Sequence, residues 1–282
     1  MEPILIQPSL FEQTILVITV FGVKPLYMLL ALVLIKLLWR SRDRDLRLLL
    51  AALIGFEAGE IACALNYGWT AGTSDLLEFG HQAGMIAFSG LLPWSMFSML
   101  DDRVLRYSAV DKTCAAYRFC GCCWKREDVG CGLHRLFLFG APALALVALL
   151  PLPAPIPQVD LILPVFGTDV IYRYSPMEQW AVFRGYPMAA AIALLATFGL
   201  LLRGQHGLAA SQWTFFGGLG LMGFSMLRFF LLSAFDQMPI WADTFEELTE
   251  LITVVGIAVL LWVFRRSFWP RRDSGSTATV GG

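Results

Sequence analysis

Long apolar runs alternate with short polar segments along the whole chain. A helix needs about 20 residues to cross about 30 Å of hydrocarbon, and seven runs approach or exceed that length. The fourth run is the shortest, and the stretch "PLPAPIP" directly after it cannot continue a helix. The pattern therefore predicts an all-α polytopic membrane protein with seven transmembrane helices, placed at 14–38, 46–66, 76–100, 135–151, 181–202, 213–235 and 244–266.

These seven spans divide the chain into a transmembrane domain and a short tail. We assign residues 1–266 to the domain and expect the tail, 267–282, to be disordered in the cytoplasm. The first residues lack the basic segment and the cleavage site of a signal peptide, so we expect the first span to be retained. Between two groups of three spans lie a cysteine-rich loop at 101–134, a linking helix at 135–151 and an outer loop at 152–180.

The composition supports a membrane protein and excludes one class of partner. Of the 282 residues, 57% are hydrophobic and only 15% are charged, which is too apolar for an ordinary soluble domain. The lipid bilayer is therefore the expected partner. The formal net charge of -1 argues against nucleic acid, which binds strongly basic surfaces.

The basic residues indicate which side of the membrane each segment faces. Of the 21 Lys and Arg residues, seventeen fall in segments that are internal when the N-terminus is outside. The other four are Arg173 in the outer loop and Lys24, Arg184 and Arg228 within predicted spans. Because Lys and Arg accumulate on the cytoplasmic side, we predict an external N-terminus and an internal C-terminus in a bacterial inner membrane.

The first three and the last three spans share a weak internal repeat. At an ungapped offset of 168 residues, the identities are Gly55 with Gly223, Phe56 with Phe224, Asp75 with Asp243, Glu78 with Glu246 and Trp94 with Trp262. Upstream, "FGVKP" at 21–25 corresponds to "FRGYP" at 183–187. We predict that about 14–100 and 181–266 form parallel repeats around the linking helix. Similar composition alone is the alternative explanation.

Several spans carry ionisable residues, which are costly in hydrocarbon and therefore indicate a specific role. Helical spacing places them in the outer half of the second, third, sixth and seventh spans. We predict that they converge on an outward-facing pocket, and the residues are Glu57, Glu60, Glu78, His81, Arg228, Glu246 and Glu250.

Three roles are open for this pocket. In a purely structural role, Arg228 and Arg184 pair with glutamates. In a metal site, Glu78 and His81 form a Glu-x-x-His pair of the kind that di-iron bundles use, although Arg228 stands where a ligating glutamate is wanted. In a carrier, the clustered acids and the single histidine act as a proton or cation relay.

Five of the six cysteines lie in the loop between the third and fourth spans: Cys114, Cys120, Cys122, Cys123 and Cys131. The predicted cytoplasmic side is reducing, which disfavours disulfides. Thiolates at this density indicate a zinc site or an iron–sulfur cluster, although the spacing matches no standard pattern for either. Transient metal capture, redox sensing, palmitoylation and the absence of a function are the alternatives.

Other cofactors are disfavoured by residue counts. The three histidines lie near opposite membrane faces, so a bis-histidine haem is not expected. A Cys-x-x-Cys-His motif for c-type haem is absent from the sequence. The seventh span has no lysine, so a retinal Schiff base is not expected there.

Two functions fit these features. The first is a membrane redox or electron-transfer component, such as a non-catalytic subunit of a redox complex, whose loop holds the metal or cluster while the pocket serves a quinone or a partner redox protein. The second is a cation- or proton-coupled carrier with a metal-sensing cysteine loop. We expect the first, because five clustered cysteines exceed what a carrier needs.

Membrane orientation gives the first testable prediction. Because seventeen basic residues are predicted to be internal, a fluorescent protein fused after Gly282 should be bright and a phosphatase fused there should be inactive. Whole-cell fluorescence and phosphatase assays measure the two fusions. An active phosphatase at this position would reverse the predicted orientation of every segment.

Overall fold

The structure is a computed structural model of the chain and describes residues 4–70, 72–100, 132–156, 160–173, 175–202, 208–235 and 238–268. Most of these residues are helical. The helices are α1 (Leu10–Ile18), α2 (Lys24–Leu38), α3 (Arg44–Thr70), α4 (Asp75–Met99), α5 (Gly132–Ala148), α6 (Pro176–Trp180), α7 (Tyr186–Leu201), α8 (Leu208–Ala234), α9 (Pro239–Val263) and α10 (Arg265–Phe268).

Among the described residues, four helical segments are long and apolar enough to cross a membrane: Leu10–Leu38, Arg44–Thr70, Pro176–Leu201 and Ala210–Ala234. The chain is therefore a helical protein of the multi-pass membrane type. Helices α4 and α9 have 25 residues each but carry several acidic residues near their N-terminal ends, from Asp75 in α4 and from Asp243 in α9, and α5 has 17 residues. The count of seven spans stays a prediction.

Two of the long segments contain a short π-helical stretch, at Thr19–Val23 and at Ala181–Gly185. In the first, the Lys24 N–H donates to the Thr19 carbonyl, five residues back. In the second, the Tyr186 N–H donates to the Ala181 carbonyl in the same way. A proline follows each donor, and because proline has no N–H it cannot donate within the α-helical ladder. Each stretch thus changes the direction in which the next side chains point.

Helix α4 packs closely against α3 through glycines. A Cβ atom at Gly84 would lie 2.5 Å from the Gly55 carbonyl oxygen and 2.6 Å from the Gly59 Cα, so the backbones meet without room for a side chain. On another side, α4 meets α8, where a Cβ at Gly220 would lie 2.4 Å from the Ile86 carbonyl oxygen. Helix α4 is therefore held between α3 and α8.

The two predicted repeats agree in one feature and differ in another. Both begin with a π-helical stretch that ends at the same position of the "FGVKP" and "FRGYP" segments. The aligned glycines, Gly55 and Gly223, however, both face α4, which belongs to the first repeat only. They lie next to Ala87 and Ser89 respectively. The duplication stays a prediction.

A three-stranded sheet lies at one end of the bundle. Strand β2 (Asp160–Val165) pairs parallel with β1 (Ile4–Leu5) and antiparallel with β3 (Thr168–Arg173). The hairpin turns at Phe166 and Gly167, which have φ angles of 46° and 82°, as tight hairpin turns require. Residues 152–180 are predicted above as a loop in an all-α fold, so the strands and α6 in this segment are an addition to that prediction.

The core has a main part and two smaller parts. The main part lies between α2, α3, α4 and α9 and includes Tyr27, Phe56, Phe88 and Ile257. One smaller part joins α4, α5, α7 and α8, where the Trp94 ring stacks on Phe216 with centroids 5.3 Å apart. The other joins the sheet to α1 and α9. The sheet is thereby fixed above the polar ends of the helices.

The α3–α4 contact gives the second prediction. Gly84→Ala should lower the free energy of unfolding by about 1–3 kcal/mol, because the added methyl overlaps the α3 backbone. Gly256→Ala is the matched control, since a Cβ at Gly256 meets open space among the described atoms. The control should be neutral or stabilising by up to about 1 kcal/mol. Thermal unfolding in detergent compares both, and equal midpoints would contradict the close packing.

Candidate functional site

A cavity of about 640 Å³ lies beneath the sheet, between the helices that carry the buried charges. In the described part of its lining, eight carboxylic acids accompany two basic side chains and one histidine. These residues are Glu60, Asp75, Glu78, Glu178, Asp243, Glu246, Glu247 and Glu250, then Lys24 and Arg228, then His81. The acids therefore exceed the cations that could neutralise them.

The first charged group, which we call the Lys24 group, consists of Lys24, Tyr27, Glu60, Glu247 and Glu250. The Lys24 ammonium lies 2.5 Å from Glu60 Oε2 and 2.9 Å from Glu247 Oε1. Lys24 follows the π-helical stretch, which directs its side chain between α3 and α9. One ammonium thus joins the consecutive helices α2 and α3 to α9, which is remote from them in sequence.

Tyr27 connects the same two carboxylates. Its hydroxyl lies 2.7 Å from Glu60 Oε2 and is also in hydrogen-bond contact with Glu247 Oε2. A phenol carries one hydrogen and can donate it to one of these oxygens only. The other contact is satisfied when that carboxyl group carries a proton of its own. The group is therefore built to hold a proton.

Glu250 is the least compensated member of the Lys24 group. It is 4% exposed, and its Oε2 has no hydrogen-bond partner among the described residues. Oxygen atoms of Glu60, Glu247 and Glu250 all lie within 4.8 Å of one another. Because buried like charges at this distance repel strongly, the three acids favour an added proton or cation.

His81 is positioned from α4 against α3. It is 3% exposed, and its Nδ1 lies 3.2 Å from the Gly59 carbonyl oxygen and 3.6 Å from Glu60 Oε1. A hydrogen on Nδ1 donates to the Gly59 carbonyl, which fixes the ring next to Glu60. The imidazole therefore lies directly beside the Lys24 group.

The second charged group, which we call the Arg228 group, consists of Arg228, Glu78 and Glu246. The Arg228 guanidinium lies 3.0 Å from Glu246 Oε2 and 3.9 Å from Glu78 Oε1. The Asn66 amide donates to Glu78 Oε2 at 3.4 Å. These contacts join α3, α4, α8 and α9 on the same cavity.

The sheet contributes to the cavity as well. The Tyr172 hydroxyl of β3 donates to Asp243 Oδ2 of α9 at 2.6 Å. From α1, Glu12 Oε1 accepts a hydrogen bond from the Trp241 indole at 3.2 Å. The sheet and α1 are therefore tied by polar contacts to the start of α9, above the charged groups.

Six of the seven residues predicted for the pocket line this cavity: Glu60, Glu78, His81, Arg228, Glu246 and Glu250. The seventh, Glu57, is 4% exposed but lies outside the lining, and neither of its oxygens has a partner among the described side chains. Of the acidic, basic and histidine residues in the described lining, the predicted set omits Lys24, Asp75, Glu178, Asp243 and Glu247, and it also omits Tyr27, which contacts Glu60. A signal for Lys24 and Tyr27 was their i, i+3 spacing, which places an amine and a phenol on one helical face.

Arg184 differs in its partners from the expectation. It donates to the backbone carbonyls of Pro151 and Ala154, which follow the end of α5, and its hydrogen bonds among the described residues do not include a glutamate. In the Glu-x-x-His pair, Glu78 contacts Arg228 and His81 contacts Glu60. The di-metal site stays a prediction.

Residues 101–131 of the cysteine-rich loop lie outside the described residues. This part contains the five cysteines, Cys114, Cys120, Cys122, Cys123 and Cys131, so the zinc or iron–sulfur site stays a prediction. Cys63 lies on α3, where the Lys24 ammonium is 3.7 Å from its Sγ atom. This thiol belongs to the surroundings of the Lys24 group.

Comparison of the chain with known protein families, curated proteins and solved structures gives no match. The residues of the site itself therefore define its chemistry.

The Arg228 group gives the third prediction. Arg228→Leu should lower the free energy of unfolding by about 3–5 kcal/mol, because it leaves the buried Glu246 and the half-buried Glu78 without their counter-charge. Adding Glu246→Gln to this variant should recover part of the loss. Chemical unfolding in detergent measures both.

The control is Arg42→Leu, because Arg42 is exposed at the opposite end of the bundle. It should change stability by about 0.5 kcal/mol or less. If Arg228→Leu were as mild as this control, the guanidinium would not be the counter-charge of the buried acids.

Proposed function

We propose that this chain is a membrane carrier that exchanges a proton for a cation at the Lys24 group. The observation that carries the proposal is Glu250, a buried acid with an unpartnered oxygen beside two further carboxylates. A single ammonium does not neutralise three acids at this distance. A bound proton or a bound cation supplies the missing positive charge.

Lys24 provides a reason why the site can be emptied and refilled. When no cation is bound, its ammonium bridges Glu60 and Glu247 and limits the cost of burying them. A cation that enters competes with this internal ammonium for the same oxygens. The bridge therefore serves as a built-in counter-ion for the unloaded carrier.

The location of the cavity favours a carrier over a pore. The Tyr27 ring packs on Phe56 with centroids 5.5 Å apart, and Phe56 packs on Phe88 at 4.9 Å. This aromatic row belongs to the main core and lies directly against the Lys24 group. A charged site above a packed core binds its cargo before a rearrangement moves it, as carriers do.

The redox hypothesis is the second candidate and rests on the spacing of the five cysteines in the sequence. It stays a prediction that metal analysis of the purified protein can test. The described residues favour the carrier, because five of their nine unsatisfied buried side-chain atoms are carboxylate oxygens.

Proton flux in proteoliposomes tests the carrier, and this is the fourth prediction. Protein is reconstituted with an internal pH dye, and Na⁺, K⁺, Mg²⁺ or hexylammonium is added outside. At least one cation should cause proton movement beyond that in protein-free liposomes, because cation and proton compete for the same carboxylates. Glu250→Gln should reduce the movement about tenfold or more.

Glu57→Gln is the matched control, because Glu57 is an equally buried acid of α3 that lies outside the cavity lining. Its flux should equal that of the unaltered protein. Proton movement that is indistinguishable from that of protein-free liposomes with all four cations would overturn the carrier.

A further inference from the structure

We propose that the cargo is an alkylammonium ion, a primary amine with an apolar chain, whose ammonium takes the place of Lys24 among Glu60, Glu247 and Glu250. This inference rests on the proposed carrier function and names its substrate class. Three features of the cavity support it: the ammonium that lies among the carboxylates, the apolar residues of the cavity wall and the excess of acidic residues.

The group that occupies the site is itself a primary ammonium at the end of an alkyl chain. It reaches Glu60 and Glu247 at 2.5 and 2.9 Å, while the third acid, Glu250, keeps an unpartnered oxygen. An ammonium has three N–H donors in a compact arrangement. Three carboxylates within 4.8 Å of one another match that set.

Part of the wall of the same cavity is apolar. Leu16, Val17, Val20 and Met28 line it from α1, the π-helical stretch and α2, and Leu231 and Leu232 line it from α8. A hard metal ion takes six or more oxygen ligands and gains nothing from such a wall. An alkyl chain gains free energy by burying its surface there. The volume of about 640 Å³ is also within the range of small-molecule sites.

Charge and aromatic groups favour a cation over an anion or a zwitterion. The eight acids of the described lining outnumber Lys24 and Arg228, and Arg228 is already engaged by Glu78 and Glu246. Phe21, Tyr67 and Tyr172 also line the cavity, and aromatic faces attract ammonium groups.

The position of Lys24 makes displacement feasible. Its side chain has four methylene groups and starts directly after the π-helical stretch, where the backbone departs from regular α geometry. A substrate ammonium therefore competes with a tethered one, and removal of the tethered charge should strengthen substrate binding. Lys24→Met removes the charge and keeps an unbranched side chain.

Binding to the protein in lipid nanodiscs, measured by calorimetry, tests the inference. The ligands are hexylammonium, methylammonium, hexanol, Na⁺ and Mg²⁺. Hexylammonium should bind at least about tenfold more tightly than methylammonium, because five further methylenes become buried. Hexanol, which has the chain without the charge, should show the heat of lipid partition alone, as in protein-free nanodiscs.

Variants identify the site. Glu250→Gln should weaken hexylammonium binding about tenfold or more, Lys24→Met should strengthen it, and Glu57→Gln should leave it unchanged. Glu247→Gln replaces Glu250→Gln if the latter does not fold.

Three outcomes overturn the inference. They are tighter binding of Na⁺ or Mg²⁺ than of hexylammonium, equal affinities for the two amines, and hexylammonium binding that both glutamine variants leave intact. If an inorganic cation drives proton flux and Glu250→Gln abolishes it, the carrier function is supported. The alkylammonium substrate class is then contradicted. Absence of both flux and cation binding would overturn the two proposals together.

Discussion

The contact between the Lys24 ammonium and two carboxylates from α3 and α9 is the interaction on which this end of the molecule depends. An isolated charge is costly inside a membrane protein, and pairing brings the cost to a tolerable level only when the helices converge. Lys24, Glu60 and Glu247 are separated by 36 and 187 positions along the chain, and the ion pairs bring α2, α3 and α9 together. Arg228 does the same for α4, α8 and α9.

Local backbone features make that convergence possible. The π-helical stretch before Lys24 directs the ammonium toward the acids, and the glycine contacts at Gly84 let α4 approach α3 closely enough for His81 to reach Glu60. The sheet covers the same end and is held by the Tyr172–Asp243 hydrogen bond. Electrostatic and packing constraints therefore meet at one cavity.

The same cavity remains rich in uncompensated acid. The ion pairs satisfy Glu60 and Glu247 in part, while one oxygen of Glu250 and one oxygen of Glu246 are buried without a partner among the described groups. An unpaired buried carboxylate is destabilising, so a site formed only for stability would have a lower folding free energy without such groups. Their presence is the physical reason for proposing that a proton and a cation bind here in turn.

Helical class, membrane character and the approximate limits of the long helices were determined by the sequence alone, because a bilayer requires long apolar runs and these can be counted. The sequence also indicated six of the eleven acidic, basic and histidine residues in the described lining of the cavity, since ionisable groups in such runs are rare and helical spacing assigns their faces.

Tertiary structure alone decided the partners. It gave Arg184 backbone carbonyls, gave Glu78 and His81 different partners, left Glu57 outside the cavity lining and brought Lys24 and Tyr27 to Glu60. It also produced the hairpin over the cavity, whose strands are buried against α1 and α9. The physical reason is that a pairing between helices depends on their rotation and depth, which the π-helical stretches and the glycine contacts set and which a period of 3.6 residues does not encode.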